Sequence, residues 1–126
     1  MSLTDLTSAR KPLPEGILGS AVPETVLYEA EEPIVFTLRT EVGQRVLAYL
    51  ADVSATERWL LMAPCSDHSL DNLETGRVSV REALLGSWLW LGRIDNDDRW
   101  QGAWAVEADE VPPDHLPGPG VMLLPE

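Results

Sequence analysis

The stretch Ser87–Glu107, SWLWLGRIDNDDRWQGAWAVE, decides how the rest of this chain must be arranged. It holds four of the five tryptophans and reads as one β-hairpin, because two runs of bulky, β-favouring residues flank the polar cluster Asp95-Asn96-Asp97-Asp98. With those four residues as the loop, Ile94 lies opposite Arg99. Trp90 then faces Ala103 and Trp88 faces Ala105, while Leu89 meets Trp104, Leu91 meets Gly102 and Arg93 lies over Trp100. Both faces of the hairpin are largely apolar, as expected of strands with material on either side or at an interface. A one-residue slip would exchange the two faces, so the pattern specifies which residues share a side.

Upstream of the hairpin, Ile34, Phe36 and Leu38 alternate with Val35, Thr37 and Arg39, and Glu41-Val42-Gly43 turns the chain. Gln44–Val53 returns with apolar residues on both sides, Ser54-Ala55-Thr56 turns again, and Glu57–Ala63 runs up to Pro64. Three strands joined by short polar links make an antiparallel meander. The period then changes. Ser66 or Ser69 can cap a short helix with Leu70 and Leu73 on its inner side, and Gly76 stands where that helix stops. Ser79 and Glu82 have the spacing of a capping box for a second helix carrying Ala83, Leu84 and Leu85.

The expected fold is therefore α+β: an antiparallel sheet of about five strands, meander plus tryptophan-rich hairpin, with two short helices inserted between strands three and four. Residues 1–25, rich in proline and glycine, read as an irregular arm, with one short strand near Val26-Leu27-Tyr28. Residues 26–126 read as a single domain. Within it Asp109–Gly120 is an acidic, proline-rich loop, and Val121–Leu124 a short edge strand or apolar clip.

The series Gly43, Leu47, Ala48, Tyr49, Leu50, Arg58, Trp59, Leu60, Ser69, Leu73, Gly76, Ser79, Arg81, Glu82, Ala83 and Leu84 resembles a family of small, uncharacterised bacterial α+β domains. The resemblance spans about residues 33–85. It implies this order of elements and no activity, cofactor or site residue.

Composition excludes several function classes. The chain has 126 residues, 44% of them hydrophobic, and no apolar run long enough for a signal peptide or a spanning helix. A lone cysteine, Cys65, forms no internal disulfide, and a cytoplasmic location follows as the expectation. The net charge is −12, with eight arginines and one lysine against 21 acids. Direct binding to a phosphate backbone is disfavoured by that balance. From Asp95 onward eight acids, Asp95, Asp97, Asp98, Glu107, Asp109, Glu110, Asp114 and Glu126, face one base, Arg99.

Residue chemistry points the same way. Cys65 and His68 could meet, with Asp67 or Asp71 orienting the imidazole, yet a cysteine after a buried strand and a histidine in a first helical turn have plainer uses. The four have no zinc spacing, and the loop Asp95–Asp98 fails as an EF-hand because Arg99 would stand at a ligand position. No phosphate-cradling loop, nucleotide fingerprint or nucleophile elbow is present. The expectation is a non-catalytic protein-binding module of accessory, inhibitor, immunity or antitoxin type, with no cofactor, no metal and no membrane. Its partner, basic in character, would meet an acidic and aromatic surface made by Trp88, Trp90, Trp100, Trp104, Asp95, Asp97, Asp98, Asp109 and Glu110. The alternatives are a small-molecule or enzymatic pocket near Cys65 and His68, and an acidic mimic of nucleic acid.

Overall fold

Alternating side chains and tight turns carry the central strands where the sequence places them. The computed structural model describes residues 3–8, 10, 11, 13, 21–85, 89–97 and 99–117. Strands β2 (Glu32–Arg39), β3 (Arg45–Val53) and β4 (Glu57–Pro64) form consecutive antiparallel pairs. Gly43 closes the first turn at a φ of +84°, a left-handed conformation that favours glycine. The Ser54 hydroxyl accepts the Thr56 and Glu57 N–H groups in the second.

Two features differ from the sequence expectation. The short strand expected near Val26-Leu27-Tyr28 belongs to a nine-residue strand, β1 (Val22–Ala30), that pairs with β2, and the arm also holds a short helix, α1 (Leu3–Ser8). Among the described residues the sheet thus has six strands, β1 to β6 in sequence order, with β5 (Leu89–Asp95) and β6 (Trp100–Val106) completing it. The expected insertion of helices between strands three and four is overturned, because α2 (Asp67–Glu74) and α3 (Val80–Leu85) follow the fourth strand and precede the last two. The cause is β1 itself. It is an edge strand carrying Pro23 and mostly exposed side chains, so it lacks the apolar alternation that marks a covered strand.

The helix signals hold in detail. Ser66 caps α2 by accepting the Ser69 N–H, and Gly76, at φ +75°, ends it. The Gly76 N–H reaches the Leu73 carbonyl and the Arg77 N–H the Asn72 carbonyl, a Schellman arrangement. At α3 the Ser79 N–H donates to Glu82 Oε1 at 3.1 Å while the Glu82 N–H donates to Ser79 Oγ at 3.1 Å. In place of one structureless acidic loop, the chain after β6 makes single 3₁₀ turns at Ala108–Glu110 and Pro113–His115. The expected clip at Val121–Leu124 lies outside the described residues.

The sheet has two apolar sides. On the first, Val35, Leu47, Leu61, Leu91 and Trp104 pack against Leu3 and Leu6 of α1, Leu73 of α2, Val80 and Leu84 of α3, and Val111. On the second, Phe36, Leu38, Val46, Ala48, Leu50, Leu60 and Met62 form a separate cluster with Ala103, against which Leu13, Trp90, Ile94 and Trp100 pack.

The hairpin keeps its faces but changes its partners. Asp95 pairs with Arg99 through the Asp95 N–H, so the loop is one residue shorter than expected. Asp95 Oδ1 accepts the Asp97 and Arg99 N–H groups and preorganises that loop. Ile94 consequently pairs with Trp100, and Gln101 is bulged out before Arg93 pairs with Gly102. The two one-residue changes add, so Trp90 pairs with Ala105 and Leu91 with Trp104. A displacement of two restores the original sides for everything beyond the bulge. Trp100, ahead of it, moves to the side opposite Trp104. The expected stacking of Arg93 on Trp100 is replaced by Arg93 over Trp59, at 5.7 Å from the ring centroid.

Candidate functional site: a cup on the second side of the sheet

A cavity of about 360 Å³ lies on the second side of the sheet, and its wall takes a residue from every strand. Pro23 and Val26 come from β1, Phe36 and Leu38 from β2, Leu50 from β3, Arg58 and Leu60 from β4, Ile94 from β5 and Trp100 from β6. A flat sheet would hold its edge strands about 24 Å apart at five strand spacings. Pro23 and Val26 of the edge strand β1 and Trp100 of β6 nonetheless line this one space, so the sheet is curled round it into a cup.

Local chemistry explains the curl. Bulges interrupt β1 against β2, β3 at Ala51 and β6 at Gln101, and each adds twist. Two glycines let indoles lie on the backbone. A Cβ on Gly92 would stand 2.7 Å from Trp100 on the cup side, and one on Gly102 would stand 2.7 Å from Trp104 on the helix side. The lining is apolar; among the described residues its charged member is Arg58.

The structure disperses the residues that sequence reasoning grouped. Trp104 is buried on the helix side, its ring centroid 6.1 Å from that of Trp59. Trp90 is half-buried on the cup side, Trp100 lines the cup, and Trp88 lies outside the described residues. Asp95 and Asp97 stand at the tip of the β5–β6 hairpin, and Asp98 lies outside the described residues. Asp109 and Glu110 stand beyond the other end of β6, a seven-residue strand and so about 23 Å away at 3.3 Å per residue. Asp109 is exposed. Glu110 is ion-paired with Arg10 and accepts the Glu107 N–H.

Cys65 and His68 are engaged separately. Cys65 is buried in the helix-side core, its Sγ hydrogen donating to the Ser66 carbonyl, and burial pushes its thiol pKa upward. His68 is exposed and bonds Asn72, while Asp67 pairs with Arg45. The cavity lined by Trp100 and Ile94 is on the opposite side of the sheet from Cys65. No group of three metal-ligating side chains occurs among the described residues. Nor is any helix among them long and apolar enough to cross a membrane.

The lining residues Phe36, Leu38, Leu50 and Leu60 were visible in the sequence as the second apolar side of the meander. Nothing local marked them as a cup, because curvature is a property of the whole sheet.

A family model matches residues 14–87, more than half of the chain. The chain belongs to DUF6575, a family of unknown function. The DUF6575 match takes in β1 to β4 with α2 and α3, and contains the stretch 33–85 on which the sequence resemblance rests. The β5–β6 hairpin, and with it the Ile94 and Trp100 walls of the cup, lies beyond the match. No curated protein and no solved structure matches the chain.

Proposed function

We propose that this protein is a non-catalytic module that binds a partner protein, and that the partner's apolar side chains enter the cup. The observation behind the reading is the cup itself: an apolar cavity walled by all six strands, with Trp100 and Ile94 at one side and the exposed strand β1 at the other. Interface energy concentrates where aromatic and aliphatic groups line a desolvated pocket. The net charge of −12 favours encounter with a basic partner and slows approach of an acidic one. A reduced, cytoplasmic setting fits the lone buried cysteine.

The test is capture from the native cell extract by the wild type and by Trp100→Ala, each first shown to be folded by thermal unfolding. A protein retained by the wild type, lost from Trp100→Ala and weakened by added salt is the expected result. Equal capture by both would remove the cup from recognition.

A second reading, a small apolar molecule in the same space, draws on its volume, since ligand pockets commonly measure about 300–1,000 Å³. Native mass spectrometry of the purified protein separates the two, because a retained small ligand adds discrete mass.

A further inference from the structure

The two edges of the sheet are treated differently by the chain. At β6 the Leu13 N–H donates to the Ala103 carbonyl at 2.7 Å, and the Arg10 guanidinium donates to the Ala105 carbonyl at 3.2 Å. That edge is occupied by the arm. Strand β1 pairs with β2 on one side, and among the described residues no strand pairs with it on the other. Its side chains are exposed from Val22 to Glu29 except for half-buried Leu27, and three of them are large and apolar, Val22 at 58%, Val26 at 48% and Tyr28 at 51%.

We propose that β1 is a docking edge that receives a short, extended segment of a partner protein as an added strand, with apolar and basic side chains alternating along it. This rests on the protein-binding reading above and names the shape and chemistry of the partner. An added strand lies about 4.8 Å beyond β1, and its side chains alternate between the two sides of the sheet. Pro23 and Val26 of β1 are part of the cup wall, so side chains on that side of the added strand arrive at the cup's mouth. Those on the other side pass the exposed Glu29 and the Glu31 turn.

Charge decides between a partner segment and a second copy. Glu24 is already ion-paired with Arg39 and Arg45, but pairing β1 with its own image brings Glu29 of each copy to the other's edge and joins two bodies of net charge −12. A basic segment meets the same groups with attraction. Pro23, which cannot donate to a ladder, and the bulges against β2 between Pro23 and Glu29 keep any regular pairing along this edge short. The edge therefore suits a short segment and resists open-ended stacking.

The probe is an acetylated, amidated heptapeptide that alternates lysine and leucine, added to the full-length ¹⁵N-labelled protein. The expected result is shifted Thr25–Tyr28 amide resonances and slowed hydrogen exchange there. A version with glutamate in place of lysine should bind at least about tenfold more weakly. Two N-methylated versions give the decisive comparison, one methylated at the leucines and one at the lysines. In a strand only residues of one parity point their N–H groups at the neighbour, so one version loses binding and the other keeps it.

Equal behaviour of the two methylated peptides overturns strand addition while leaving the cup reading to its own Trp100→Ala test. Three other results also overturn it: no binding up to about 1 mM, the weak end of measurable association; β1 amides that point away from β2 already protected in the free protein; or a dimer in sedimentation whose contact is β1.

Discussion

The strands at the two edges of this sheet face the same problem, unpaired backbone groups, and solve it by opposite means. β6 is closed by its own chain: backbone and guanidinium donors from residues 10–13 take the carbonyls of Ala103 and Ala105, and Arg10 is fastened in turn to Glu110. β1 relies on its own irregularity, a proline, bulges and glutamates, all of which discourage a neighbour without supplying one. Edge protection and binding capacity are therefore alternatives. A covered edge contributes to stability, whereas an edge guarded only by charge and twist stays available to a partner whose charge and length suit it.

The largest loss of stability is expected at β6. Trp104 is 8% exposed, lies beside Trp59 and covers Gly102 on the helix side. Trp104→Ala opens a cavity that its small neighbours cannot refill and should cost about 3–5 kcal/mol, read as a lowered midpoint in urea unfolding. A loss well under about 1 kcal/mol would mean the closed edge is less integral to the core than its packing indicates.

A smaller effect is expected from the clasp on the same edge. Arg10→Ala removes the donor to Ala105 and the ion pair with Glu110, whose side chains are each about a third exposed (32% and 31%). The cost should be about 0.5–1.5 kcal/mol, accompanied by faster amide exchange in β6 and none in β1. Faster exchange at both edges would show that they are coupled, and would dissolve the contrast between them.

The smallest effect belongs to β1. Hydrogen bonding to Arg39, helped by Arg45 and opposed by desolvation, holds the Glu24 carboxyl below its ordinary value of 4.5. A carboxyl whose pKa is depressed by folding adds stability that is complete above its unfolded value and is lost as pH falls through the lower folded one. Glu24 should therefore contribute in full above about pH 4.5, and the contribution should fade as pH falls below that value. Arg39→Gln should move the Glu24 titration upward in a carboxyl NMR experiment. An unmoved titration would assign the depression to Arg45 alone.

How much was legible beforehand differs element by element. The turn at Gly43, the stop at Gly76 and the reciprocal bonds of Ser79 and Glu82 were readable because each is made by residues within about four positions of one another. The hairpin register was not. It hinges on the Asp95 carboxylate gathering two loop N–H groups and on a bulge at Gln101, and neither leaves a mark in hydrophobic periodicity. β1 was expected only as a short strand near Val26-Leu27-Tyr28, and its full length escaped notice because an exposed edge strand has no buried side to impose alternation. The grouping of acids and tryptophans into one surface was an inference from nearness in sequence. The extended hairpin separates its tip from its base, and the bulge turns Trp100 away from Trp104.

Sequence alone determined an antiparallel meander, a capped helix pair and a tryptophan hairpin with two apolar sides. Those follow from period, turn chemistry and caps, which act between near neighbours. Only the tertiary structure decided that β1 is an edge strand, that helices cover one side of the sheet, and that the other side curls into a cup shared by all six strands. Curl is the sum of bulges and of close approaches such as Trp100 on Gly92, and a one-residue bulge reverses the side of every residue on one flank of it. A quantity that accumulates over the whole sheet cannot be read from any one of its strands.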